Sequence, residues 1–231
     1  MTKDNLEAPP GERIFYFDID NCLYSPELGI DRQMRDGIYA FCGEIGMDSA
    51  SIVKTCNSYY KDYGLTVRGL INHHDIDVVK FIEKVDGPLQ IESIIKPDPT
   101  LRLMIQSIKT RRWAFTNAGI MHAKRVLKCL QVDDLFEGIT FCDYTEPDFP
   151  CKPERRAYSK AMAESGVADV RLCYFADDSA QNVKAAREIG WTAVLVSKQT
   201  PSASTTNAGT TKDLHTTSIH DLPSVLPQLF A

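Results

Sequence analysis

The feature that most constrains this chain is a series of short apolar runs, most of them separated by helical periodicity. The runs are Arg13–Phe17, Arg112–Phe115, Gly138–Phe141, Arg171–Phe175 and Thr192–Val196, and they read as buried strands. Leu101, Met104, Ile105 and Ile108 repeat at helical spacing before the second run, and Ala123, Val126, Leu127 and Leu130 after it. Ala157, Ala161 and Met162 fit a helix before the fourth run, and Val183, Ala186 and Ile189 one before the fifth. Strand alternating with helix predicts an α/β fold: a Rossmann-like parallel sheet covered on both faces.

The first strand is followed by something different. No strand pattern occurs between Tyr24 and Lys96. Met34, Ile38, Phe41 and Ile45 mark one amphipathic helix, and Ile52, Val53, Cys56, Tyr59, Tyr60 and Tyr63 a second. A third is expected over Asp75–Val85 with Ile76 and Val79 inward, and Gly64 and Gly69 place Arg68 in a loop. Lys96-Pro97-Asp98-Pro99 then ends the helical pattern. The expected organisation is a polar tail over 1–12, a core built from 13–23 and 97–231, and an all-helical cap over 24–96 inserted after the first strand. Residues 197–218, rich in Ser and Thr, predict a mobile surface loop.

Composition narrows the function classes. The 231 residues suit one core domain with a smaller insertion. A net charge of −5 argues against a nucleic-acid polymer as partner but leaves room for a small phosphorylated ligand. No apolar run is long enough to span a membrane, and residues 1–12 lack the apolar stretch of a signal peptide. Seven cysteines without a C-x-x-C pair suggest neither a disulfide framework nor a zinc site. The expectation is a monomer in a reducing compartment, the cytosol and also the nucleus.

In an open parallel sheet, ligands bind beyond the carboxyl ends of the strands. After strand one comes Asp18-Ile19-Asp20. Extended backbone points residues i and i+2 the same way, so two carboxylates would lie close together unless a cation or a proton separates them. Alone, the pair also suits a solvated, helix-capping turn. After strand two comes Thr116-Asn117-Ala118, which suits an oxyanion-binding turn or a plain N-cap. After strand three, Cys151-Lys152-Pro153 precedes a helix. A lysine there opposes the helix dipole, and makes sense if it neutralises a phosphate and carboxylates; the bland reading is a solvated side chain. After strand four comes Ala176-Asp177-Asp178-Ser179. Ser179 caps the next helix, and two adjacent Asp suggest a cation.

The order of these pieces is more specific than any one of them. The chain resembles phosphatases of the haloacid dehalogenase superfamily over nearly its full length, with an insertion similar to the type-one helical cap. Phe17-Asp18-Ile19-Asp20-Asn21-Cys22-Leu23-Tyr24 departs from the commoner Asp-x-Asp-Gly-Thr opening. It looks like the fungal and plant pyrimidine 5′-nucleotidase group, as do Tyr59–Leu65, Arg68-Gly69-Leu70, Tyr144 after Phe141-Cys142-Asp143, and Asp177-Asp178-Ser179 with Asn182.

The resemblance implies that Asp18 is the nucleophile and Asp20 the general acid and base. It implies Mg²⁺ held by Asp18, the backbone carbonyl of Asp20 and Asp178, with Asp177 binding through water or orienting Lys152. Thr116, the backbone near Asn117 and Lys152 would hold the transferring phosphoryl group. In the cap, Tyr60, Tyr63, Arg68 and His73 are candidate leaving-group contacts, Arg68 foremost; helically spaced Tyr also fits plain packing. The implied substrate is a nucleoside monophosphate, with uridine and cytidine monophosphates first. Nicotinamide mononucleotide, purine monophosphates, pyridoxal phosphate and lysophosphatidate are the alternatives. A dehalogenase, a phosphosugar mutase and a catalytically silent phosphate sensor are the rival readings on the same scaffold.

Overall fold

The computed structural model describes residues 12–146, 148–198 and 214–230. Residues 1–11 of the expected tail over 1–12, and residues 199–213 of the Ser/Thr-rich stretch, lie outside these.

The chain enters the sheet through β1 (Ile14–Phe17) and then forms helices only: α1 (Ile30–Glu44), α2 (Ile52–Tyr63), α3 (Thr66–His73), α4 (Val78–Val85), α5 (Ile91–Ile94) and α6 (Pro99–Gln106). It returns through β2 (Arg111–Phe115), α7 (Ile120–Leu130), β3 (Ile139–Thr140), α8 (Arg155–Ser165), β4 (Cys173–Asp177), α9 (Ala180–Ile189), β5 (Thr192–Val196), β6 (His215–Thr216) and α10 (Leu222–Val225). Short 3₁₀ turns join several of these. The sheet runs β3-β2-β1-β4-β5-β6, and every pairing is parallel. Strand β1 sits between β2 and β4, with Phe17 level with Ala114 on one side and Ala176 on the other. That is where strand order reverses, so the residue after Phe17 opens into the crevice between two diverging connections.

Alternation along β1 divides the core. Phe15 and Phe17 join the layer that includes Leu101, Ile105, Val126, Leu127 and Leu222. Ile14 and Tyr16 join Phe115, Tyr158, Phe175 and Trp191 on the opposite face. All of β1 is buried, as a central strand of a sheet covered on both faces must be.

The helical insertion has its own core: Phe41, Cys42, Ile52, Cys56, Val67, Leu70, Phe81 and Val85. Cys142, Tyr144, Phe149 and Cys151, from the connection after β3, complete that same cluster. Leu89, Ile91 and Ile95 pack instead with the sheet, so the cap's apolar core ends near Val85 rather than at Lys96.

The structure differs from the sequence expectations at several points. Val79 is 56% exposed, because the third expected helix begins only at Val78, capped by Asp77, and turns Phe81 and Val85 inward. Arg68 lies in helix α3, not in a loop. Gly69 is tolerated there because the Tyr59 ring packs on its Cα, where a Cβ would collide. Residues 170–172 form a 3₁₀ turn, so β4 starts at Cys173 and carries Asp177 as its last residue. His215–Thr216, inside the expected surface loop, form the edge strand β6. Two residues carry too little pattern to read as a strand.

Candidate active site

Four chain segments converge beyond the carboxyl ends of β1, β2 and β4. Asp18 follows β1, and its backbone N–H donates to the Ala176 carbonyl at 2.9 Å, which extends the ladder by one residue. Lys152 enters from the loop before α8, preceded by Cys151 and followed by Pro153 across a cis peptide. Its side chain is buried between the Phe115 and Phe175 rings, with Nζ 4.9 and 5.2 Å from their centroids. Nζ donates to Asp18 Oδ1, Asp177 Oδ2 and the Phe115 carbonyl, each at 2.7 Å. An ammonium has three donors, and all three are used.

Asp177 is fully engaged. Oδ1 accepts from the Ser179 backbone N–H at 2.7 Å, both oxygens accept from Asn182 Nδ2 at 3.1 Å, and Oδ2 also accepts from Lys152. Asp178 is half-buried beside it. Carboxylate oxygens of Asp18, Asp177 and Asp178 lie within 4.8 Å of one another. Burial pushes the Asp18 carboxyl well above the usual range, and Asp177, Asp178 and Asp20 push further while Lys152 opposes. Burial and Asp177 push Asp178 up to about 7. Three buried or half-buried carboxylates against one ammonium leave an excess of negative charge, and hard oxygen donors in that arrangement fit a divalent cation.

The Asp20 side chain is absent from this cluster. Its Oδ1 accepts from Tyr24 Oη and from His122 Nε2, each at 2.7 Å. Burial alone would raise its pKa, but the charge and hydrogen bond of His122, and the Tyr24 hydroxyl, outweigh burial and hold it below the usual range. Nothing in the sequence singles out His122. It lies on the first turn of α7, where it reads as one polar residue among the apolar positions of an amphipathic helix.

Thr116 is buried, and its Oγ1 accepts from the Ala118 N–H at 3.0 Å, which shapes the turn after β2. The Asn117 side chain is taken up by the Lys152 backbone. Its amide donates to the Lys152 carbonyl at 2.8 Å and accepts from the Lys152 N–H at 2.7 Å, fastening the lysine's backbone. Asp18, Asp20, Thr116, Asn117, Lys152 and Asp178 all line a cavity of about 200 Å³, roofed by Met34, Tyr60, Leu65 and Tyr144. Gly64 reaches the same cavity with φ +76, and a Cβ there would stand 2.5 Å from the Lys152 carbonyl, so only glycine allows this approach of cap to core.

The other cap candidates lie elsewhere. Tyr63 Oη and His73 Nε2 bond each other at 2.6 Å, and His73 stacks on Tyr59. Arg68 is 8% exposed and is not among the residues that line the cavity. It donates to Glu154, to Asp148 Oδ1 at 2.8 Å and to Cys151 Sγ at 3.3 Å. A buried guanidinium must be paired, and these acceptors on the core loop pair it, so it clasps cap to core. Of the expected cap contacts, only Tyr60 lines the cavity.

Residues 12–190 match the model of the haloacid dehalogenase-like hydrolases. The chain belongs to that family. Phosphate metabolism protein 8 of Saccharomyces cerevisiae is 34% identical over 196 residues, which cover 80% of this chain and 61% of the yeast protein. The L-2-haloacid dehalogenase of Xanthobacter autotrophicus superposes with a TM-score of 0.59 at 12% identity, over 95% of this chain and 99% of that one. A HAD phosphatase from Thermococcus onnurineus gives a TM-score of 0.59 at 14% identity, over 95% and 100%. At such identities these structures speak to the fold alone. Among the described residues, no helix is long and apolar enough to cross a membrane.

Proposed function

We propose that this chain is a magnesium-dependent phosphomonoester hydrolase working through a phospho-aspartate on Asp18, with pyrimidine nucleoside 5′-monophosphates as its preferred substrates. One observation carries the reading. Lys152 holds Asp18 Oδ1, no described residue hydrogen-bonds Oδ2, and Asp20 lines the same cavity.

Asp18, Asp178 and the backbone carbonyl of Asp20 would hold the cation, while Asp177, saturated by Lys152, Asn182 and Ser179, orients the lysine. A divalent cation there offsets the repulsion between an anionic nucleophile and an anionic ester. Asp18 Oδ2 attacks phosphorus, the P–O bond to the leaving group breaks, and Asp20 gives that oxygen a proton. A phosphate dianion beside Asp20 raises its proton affinity, which fits it for this half of the cycle. Asp20 then takes a proton from water as the water oxygen attacks phosphorus, the bond to Asp18 breaks, and phosphate leaves. Lys152, through its charge, and Thr116 would offset the negative charge that spreads over the equatorial oxygens. Every residue invoked comes from one chain, so a monomer suffices.

Asp20 favours a phosphatase over a dehalogenase, because a departing halide needs no proton. The name of the yeast relative accords with phosphate chemistry. The small cavity, with the Tyr60 and Tyr144 rings on its roof, favours a flat base of pyrimidine size. Phosphate release should be screened with Mg²⁺ over uridine, cytidine and purine monophosphates, nicotinamide mononucleotide, pyridoxal phosphate and lysophosphatidate. Release from the pyrimidine nucleotides should be fastest. Release from none of these esters would refute the hydrolase reading.

A further inference from the structure

The hydrogen bonds around Asp20 are lopsided. Oδ1 accepts from both Tyr24 Oη and His122 Nε2, whereas no hydrogen bond from a described residue reaches Oδ2. The two donors approach from different elements. Tyr24 stands four residues after Asp20 in the segment that follows β1, and His122 stands on the first turn of α7. Tyr24 is 8% exposed, and burial and Asp20 keep its phenol protonated, so it remains a donor.

His122 is the more telling of the two. Its side chain is 0% exposed. Its Nδ1 is buried without a hydrogen-bond partner among the described residues. A histidine kept for packing would have both ring nitrogens satisfied, or an apolar residue would stand in its place. This one makes a single hydrogen bond, and the bond goes to Asp20. The other charged groups acting on the ring are Asp86, at the end of α4, and Arg125, one turn along α7. Arg125 is itself bonded to Glu92 and to the Asp86 and Leu89 carbonyls.

We propose that His122 and Tyr24 are positioning residues. Together they fill Oδ1 of Asp20 and fix the carboxyl plane, which reserves Oδ2 as the oxygen that exchanges a proton with the leaving group. The inference rests on the hydrolase reading above. It assigns the orientation of Asp20 to Tyr24, which lines the cavity beside it, and to His122, which is not among the lining residues.

The test compares His122→Leu, which removes the donor, with His122→Gln, whose amide can reach the Nε2 position, and with Tyr24→Phe. Each is assayed with Mg²⁺ on two esters. One is an alkyl phosphate, uridine 5′-monophosphate or the alkyl monoester that wild type hydrolyses fastest. The other is 4-nitrophenyl phosphate, whose leaving group departs readily without a proton. The readout is kcat/KM, which stops at the step that releases the leaving group. His122→Leu should lose about ten- to a hundredfold on the alkyl ester, and only a few-fold on the aryl ester. His122→Gln should recover most of that loss, and Tyr24→Phe should show the same asymmetry more weakly. Equal losses on both esters, or full alkyl activity in His122→Leu, would overturn the positioning role while leaving the hydrolase reading intact. If wild type hydrolyses neither ester, the hydrolase reading itself falls, and this inference with it. Thermal melting of each variant identifies one that fails to fold, and the Gln and Phe variants then decide the matter.

Discussion

Replacing Lys152 with methionine isolates the charge at the centre of the site. Methionine fits the aliphatic slot between the Phe115 and Phe175 rings, so packing is largely kept. What is lost is an ammonium donating three hydrogen bonds of 2.7 Å, two of them to Asp18 and Asp177. Those carboxylates are 6% and 0% exposed, so water cannot replace the lost partner. Removing one member of a buried ion pair typically costs about 3–5 kcal/mol. For a chain of this size each kcal/mol lowers Tm by roughly 2–4 °C, so the variant should melt about 6–20 °C lower in chelator. Lys152 opposes the upward push on the Asp18 pKa, so Asp18→Asn should cost less stability in the methionine background than in wild type. Calorimetry of the four proteins of this cycle measures both effects. A Tm within about 2 °C of wild type, or strictly additive costs, would refute the claim that Lys152 ties the two carboxylates together. Arginine should not rescue, because its planar fork cannot aim three donors into the space of an ammonium.

Three further outcomes follow from the same geometry. Asp18→Asn should abolish phosphate release with the fold intact, since the amide still accepts from Lys152 but is a poor nucleophile; turnover that survives after mass spectrometry excludes deamidation would count against the assignment. Chelation should stop turnover; Mg²⁺ should restore it and Ca²⁺ inhibit, because looser coordination displaces the nucleophile, and a metal titration of initial rates checks both. Arg68→Ala breaks the clasp to Glu154 and Asp148, so it should lower stability by about 1–3 kcal/mol and depress alkyl and aryl ester hydrolysis by similar factors. A loss confined to nucleotides would instead return Arg68 to substrate recognition.

The core was legible because it obeys local rules. The β5 run has its expected bounds, and Asp18 after β1 and Asn117 after β2 meet Lys152, with Asp177 and Asp178 beside Asp18, beyond the carboxyl ends of the strands where an open parallel sheet binds its ligands. The cap was less legible, because helical spacing does not say which face meets which neighbour. Arg68 has the chemistry of a substrate contact, but its acceptors, Asp148 and Glu154, lie some 80 positions away in sequence, at separations of 80 and 86. His122 was invisible for the same reason. Its one side-chain hydrogen-bond partner among the described residues stands 102 residues earlier, and a polar residue on an amphipathic helix carries no signal of its own.

The cap's apolar core is finished by Cys142, Tyr144, Phe149 and Cys151, residues that belong to the far side of the sheet in sequence. This bears on how such a segment can be exchanged. Grafting another insertion between β1 and β2 would leave those four side chains facing a foreign surface, on the very stretch that delivers Lys152. The transferable unit is therefore two pieces, the helices and the Cys142–Cys151 stretch, and a chimera carrying only the first should fold poorly or misplace its lysine. Leaving-group preference and phosphoryl chemistry would then have to change in concert, since one continuous patch of packing supports both.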